Sequence, residues 1–192
     1  YVLLHQFGEN HIIAYGLTAN IGVFALFVMV GIAQACQPII SFNHGANQPS
    51  RIEAIFRLGL KSALGSGLVF MVLVYLFAPQ IAALYLGGSS DLIGLSSTAL
   101  TFFFFAVPLM GINLVIANLF QATAKPKQAT LISLGRGFVF VALGIMILPK
   151  LFPEQGIWAS ILFAETLTAI FSLSMLRSYK KRFSGSLAEP MA

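Results

Sequence analysis

The chain carries too little charge to face water. Of 192 residues, 11 are Lys or Arg and 6 are Asp or Glu, 9% in all, against 58% hydrophobic residues and a mean hydropathy of +0.88. Soluble domains carry about 25% charged residues, so a globular domain with a solvated surface is excluded. Cysteine is almost missing too. Cys36 stands alone, so no internal disulfide can form, and within Ala35-Cys36-Gln37 it reads as a small buried thiol. No nucleophile stands beside a base and an orienting group, and no phosphate loop is present. Gly65-Ser66-Gly67 sits in an apolar run with no strand before it. An enzyme is not expected, and neither is a cofactor.

What is present is a series of long apolar runs. A helix needs roughly 20 apolar residues to cross a hydrocarbon core of about 30 Å. The runs predict an all-α, polytopic transmembrane bundle with helices at about 12–42, 57–78, 92–123, 128–148 and 156–177. The bundle is expected over 1–182, with a cytoplasmic tail at 183–192. The first and third runs exceed the minimum, which predicts tilt or extension beyond the lipid. Pro38 and the stretch Asn43 to Pro49 are expected to end the first helix, Pro79 the second, and Lys125-Pro126-Lys127 the third. Pro149 and Pro153 bracket the last turn. Tyr1–Leu4 is too short to span and reads as the stub of a preceding helix. No cleavable signal peptide is visible there.

The basic residues cluster at the ends of these runs rather than along one stripe, which argues against nucleic acid. One side gathers Arg51, Arg57, Lys61, Lys125, Lys127, Arg136, Arg177, Lys180, Lys181 and Arg182; the other holds Lys150, with the acids Glu9, Asp91 and Glu154. Lys and Arg mark the cytoplasmic side, so the first full helix is predicted to run inward, with the C-terminus cytoplasmic. On this map His5 and His11 lie outside and His44 inside. With no carboxylate or thiol at ligand spacing they make no metal site and are expected as exposed loop residues. Tyr85, Trp158 and Tyr179 fall at predicted interfaces.

Gly59, Ala63 and Gly67 recur every fourth residue, a spacing that lets helix backbones approach closely. Phe102 to Phe105 point all round a helix, so most of that run must pack or face lipid. Carboxamides inside apolar helices must face other helices or a wet cavity. Asn20, Gln34, Asn113 and Gln121 are therefore the substrate-cavity candidates, with interhelical hydrogen bonding as the competing role for each. Asn113, Ala117 and Gln121 share one face.

Glu165 and Arg136 are ionisable residues inside predicted spans, where each must find a partner or water. At 1.5 Å per residue, Glu165 lies roughly 13 Å deep from one side and Arg136 roughly 12 Å from the other. In a core of about 30 Å their depths differ by about 5 Å, which an arginine side chain can bridge. An intramembrane pair is expected. The alternatives are an Arg136 that snorkels to headgroups and a Glu165 bonded to carboxamides such as Gln34.

Three stretches in order carry a family resemblance. Gly31 to Asn47, with Gln34-Ala35, Pro38 and Gly45-Ala46-Asn47, resembles the G-x-x-Q-A-x-x-P-x-x-x-x-x-x-G-A-N pattern of multidrug and toxic compound extrusion (MATE) transporters. Phe120-Gln121-Ala122-Thr123-Ala124-Lys125-Pro126 is similar to the F-Q-A-x-G-K-P end of the family's tenth helix, with Ala124 in place of Gly. Gly156-Ile157-Trp158 followed by Glu165 resembles the start of the twelfth. There Leu162 replaces a frequent Pro, so no proline kink is expected.

The resemblance implies helices eight to twelve, plus the tip of seven, of a twelve-helix fold in the cell (inner) membrane. It implies export of cationic amphipathic drugs in exchange for H+ or Na+, with membrane lipids and a six-helix N-terminal bundle as partners. The third span holds no internal acid, so no coupling-ion site is assigned from the resemblance. A flippase for lipid-linked oligosaccharides of related architecture is the alternative, with Arg136 its one candidate cavity cation. A non-transporting scaffold or channel subunit is the third reading.

Overall fold

A computed structural model describes residues 7–87, 90–153 and 155–186, the last few by backbone alone. The regular structure there is helical throughout: α1 (Glu9–Gly45), α2 (Pro49–Leu86), α3 (Ser90–Ala122), α4 (Pro126–Leu134), a π-helical segment (Gly135–Val139), α5 (Phe140–Leu151) and α6 (Gly156–Ser186). Since α4, the π segment and α5 run on as one rod, 5 helices among the described residues are long and apolar enough to cross a membrane. The surface is inside out. Leu84 is 91% exposed and Phe138 72%, which water would penalise and hydrocarbon does not. The protein is a multi-pass membrane protein.

Several helix ends differ from the sequence expectation, for one physical reason. Within lipid, ending a helix orphans four carbonyls, whereas running through a proline loses one hydrogen bond. So α1 continues through Pro38 and α2 through Pro79. α2 stops only where Gly87 adopts a left-handed conformation (φ 54°) and its N–H bonds Ala83 O. At its start Pro49 occupies the first turn, where its missing N–H costs nothing. α6 runs unbroken past Leu162 and beyond the expected end at 177, to Ser186. The tail from 187, the stub Tyr1–Leu4, His5 and Glu154 lie outside the described residues.

The helices alternate in direction, so the turns at 46–48 and 123–125 share one end with the C-terminal part of α6. This is the basic end. α3 is the most buried span and packs on α1, α2 and α6, while α5 packs on α6. Among the described residues α1 makes no close backbone contact with α5 or α6, and it reaches α6 through side chains, His11 against Trp158. The small residues of α2 face this core. A Cβ on Gly59 would come within 2.8 Å of Cys36 Sγ, and one on Gly67 within 2.7 Å of Pro108 Cα. Gly111 of α3 backs onto Met29 and Ala63 in the same seam, and Gly144 seats α5 against the Ser160 backbone of α6. Of the phenylalanine run, Phe104 is buried, Phe103 lies over Gly22, and Phe105 is the exposed member.

Candidate functional site

The polar residues of α3, the π segment and α6 converge on one carboxylate. Arg136 Nε donates to Glu165 Oε1 at 2.6 Å. From α3, Asn113 Nδ2 donates to Glu165 Oε2 at 2.8 Å and to the Glu165 main-chain oxygen at 3.0 Å. Ser172, two turns along α6 from Glu165, donates its hydroxyl to Asn113 Oδ1 at 3.0 Å. Turning the Asn113 amide over would set its oxygen against two acceptors, so this network fixes its orientation. Asn113 and Ser172 are fully buried and Glu165 is 4% exposed, while the Arg136 side chain keeps 22%. The hub joins three elements and leaves no net charge at the pair.

Hydropathy carries no mark of the π segment that delivers Arg136. Phe140 N–H bonds the Gly135 carbonyl, five residues back, so this turn holds one residue more than an α turn. Gly135 permits it locally: a Cβ there would meet the Phe140 ring at 2.9 Å, and nothing lies near Gly137. Ser172 was missed as well. Its seven-residue offset from Glu165 places it on the same helix face, a signal available beforehand.

The cavity candidates separate into two groups. Asn113 is not left free to line a cavity; both ends of its amide are occupied by protein. Gln121 is exposed near the basic end of α3, so its shared helix face with Asn113 does not become a shared environment. Asn20 and Gln34 lie exposed on α1. Residues 20, 24, 27, 31, 34 and 38 fall on one line of that helix, and all are exposed. The line reads Asn20, Phe24, Phe27, Gly31, Gln34, Pro38, an aromatic stretch flanked by carboxamides. Asn20 returns one bond to the Gly16 carbonyl at 2.8 Å. Gln34 therefore does not bind Glu165.

Two histidines also depart from expectation. His11 sits in α1 and stacks on Trp158 of α6, ring centroids 5.7 Å apart and 3° from parallel, and His44 lies in the last turn of α1. Neither is a loop residue, since α1 extends at both ends beyond the apolar run that defined it. At the basic end Lys125 Nζ lies 4.5 Å over the Tyr179 ring and ties the α3–α4 turn to α6. That turn puts Ala124 at φ 55°, the conformation a glycine would adopt without strain.

Comparison with known proteins agrees with this architecture. The chain is 22% identical over 188 residues to the multidrug export protein MepA of Staphylococcus saprophyticus, covering 98% of this chain and 41% of that protein. It is 23% identical to the MepA of Staphylococcus haemolyticus, over 95% of this chain and 40% of the relative. It thus spans about two fifths of the length of these relatives. Its fold matches the MATE transporter VcmN of Vibrio cholerae in the bent form with a TM-score of 0.84 at 20% identity, over 92% of this chain and 40% of that one. An outward-facing multidrug resistance MATE transporter of the MOP superfamily gives 0.84 at 19% identity, over 98% and 42%. The model of the MatE family matches residues 1–147, and the chain belongs to that family.

Proposed function

We propose that this chain supplies one wall of a secondary active multidrug exporter, which moves cationic amphipathic compounds out of the cell in exchange for protons or sodium ions. The observation that carries the reading is the exposed α1 line. Carboxamides are costly against lipid tails, so Asn20 and Gln34 on one line with Phe24 and Phe27 suit a wetted cavity better than a lipid contact. Aromatic faces attract organic cations, and carboxamides accept their hydrogen bonds. The missing length of the relatives is consistent with a second bundle forming the opposite wall. The Lys and Arg distribution supports a cytoplasmic basic end in the cell (inner) membrane.

The flippase alternative fares worse on one point. A pyrophosphate-linked lipid calls for a free cavity cation, and Arg136, the basic side chain turned inward, is paired with Glu165. The test is ethidium efflux by the full-length protein in cells lacking their own pumps. Efflux should stop when the proton or sodium gradient is collapsed. Folded, membrane-inserted protein that exports no organic cation would overturn the reading.

A further inference from the structure

We infer that the face of α2 turned away from the core binds an anionic phospholipid. Its phosphate lies on Arg57 and Lys61, and one acyl chain follows the helix past Gly65 toward Tyr75. The inference does not rest on the export reading.

The two faces of α2 differ in chemistry. Phe56, Gly59, Ala63 and Gly67 are buried on the face that forms the seam with α1 and α3. On the opposite face, residues 57, 61, 65, 68, 72 and 75 fall on one line, and all are exposed. The line reads Arg57, Lys61, Gly65, Leu68, Val72, Tyr75: two cations, a bare turn, then an apolar track. Unlike the exposed α1 line, it holds no carboxamide. The exposed positions of α2 between 64 and 77 are aliphatic, aromatic or glycine. Such a face suits hydrocarbon rather than a wetted cavity.

Depth sets the cations at the level of lipid phosphates. Leu64 to Leu86 carries no charge and rises roughly 33 Å at 1.5 Å per residue, which fills a hydrocarbon core of about 30 Å. Lys61 stands about one turn before that stretch and Arg57 one turn before Lys61, at the basic end. Gly65 lies about 6 Å deeper than Lys61, where a phospholipid has its ester groups. A Cβ on Gly65 would meet nothing within 4 Å, so the helix surface there is open. From Lys61 to Tyr75 the rise is about 21 Å, which covers one leaflet of the core together with its ester region.

The charge on this face is available and of one sign. Glu53 takes one donor of Arg57, Nη2 to Oε1 at 2.9 Å, and the arginine side chain stays 69% exposed. A guanidinium has five N–H donors, so the others remain for phosphate oxygens. Lys61 makes no ion pair among the described residues. A zwitterionic headgroup brings its own cation to its phosphate and gains less from a second. An anionic headgroup lacks one, which gives the face its preference. The apolar track beneath the cations selects a lipid over a free phosphate ion.

The test counts lipids that stay on the full-length protein. The protein in detergent is given equal amounts of dioleoylphosphatidylglycerol and dioleoylphosphatidylcholine, and the retained molecules are counted by native mass spectrometry. The unaltered protein should retain the anionic lipid in preference. Lys61→Gln should weaken that preference by about fivefold, the effect of one cation at an anionic headgroup, and Lys61→Arg should restore it. Lys127→Gln removes the same charge from an exposed site on another helix at the same end and should change nothing. Equal effects of Lys61→Gln and Lys127→Gln would show general surface charge and overturn the site. Gly65→Leu fills the open turn without touching a charge, and it should also weaken retention. An unchanged count there would show that charge alone acts, and overturns the chain track. Sodium phosphate in place of sodium chloride at equal ionic strength should not displace the lipid. Displacement would show a free-anion site and overturn the inference equally. Because Lys61 and Gly65 are exposed, these variants should melt with the unaltered protein, which separates lost binding from lost folding.

Discussion

The guanidinium of Arg136 and the carboxylate of Glu165 meet at 2.6 Å although they sit on antiparallel spans, 29 residues apart in sequence. A partly buried ion deprived of its partner is far more costly than the intact pair is beneficial. Glu165→Gln should therefore lower stability by about 3–5 kcal/mol, read as thermal unfolding in detergent. Arg136→Gln added to it should recover part of that loss. Equal melting of the unaltered protein and the single variant would show that the pair carries no weight.

The two groups of carboxamides should respond differently to the same change. Asn113→Leu leaves Glu165 Oε2 without a partner, while the Ser172 hydroxyl keeps its bond to the Ala169 carbonyl, and should cost about 1–3 kcal/mol. Asn20→Leu and Gln34→Leu remove exposed groups and should stay within about 0.5 kcal/mol. In the full-length protein those two should instead alter the spectrum of exported compounds at unchanged protein level. Equal destabilisation by all three would sink the distinction.

Ala124 occupies a left-handed backbone position at the α3–α4 turn. An L-residue there loses roughly 1–2 kcal/mol that glycine does not. Ala124→Gly should stabilise the fold by up to about 1 kcal/mol after the added freedom of the unfolded chain is subtracted, read as a raised unfolding temperature.

Close packing in the α2 seam makes a ranking possible. A Cβ on Gly67 meets Pro108 backbone, which cannot turn aside, whereas one on Gly59 meets the Cys36 sulfur. Gly67→Ala should therefore be the worse of the two, with overpacking of about 1–3 kcal/mol. Melting curves of the two variants side by side decide it, and the reverse order would refute the seam.

Orientation can be checked with thiols, because Cys36 is buried and should react little. In a full-length protein freed of other exposed thiols, cysteines at Ser90 and Glu154 should label from outside intact cells. Those at Ser50 and Ser184 should label only after permeabilisation. The opposite pattern reverses the topology.

Hydropathy was enough to read the number of spans and their alternation, since a helix in lipid must be long and apolar. The depth of Arg136 and Glu165 was legible because rise per residue is nearly constant. Helix ends were not, because Pro79 looks like a stop in any sequence and is overridden only by the cost of open backbone in lipid. The π turn hid for a different reason: one extra residue barely disturbs a hydrophobic run. His11 was misread because its surroundings depend on Trp158, 147 positions away and on another helix. Gln121 shows the limit of helical-face arguments, which align residues along one side without saying where the neighbouring helix stops.

The three-element hub also constrains how the chain can be made. The parts of the hub enter the membrane in order, Asn113 with α3, Arg136 with the next rod, and Glu165 with α6 last. Until α6 is inserted, α3 holds a carboxamide and the following rod a guanidinium with no carboxylate to meet them. A nascent chain paused before Gly156 would thus expose polar groups within the lipid, the condition that membrane quality control can detect. Insertion of the last helix completes the charge balance of the two before it.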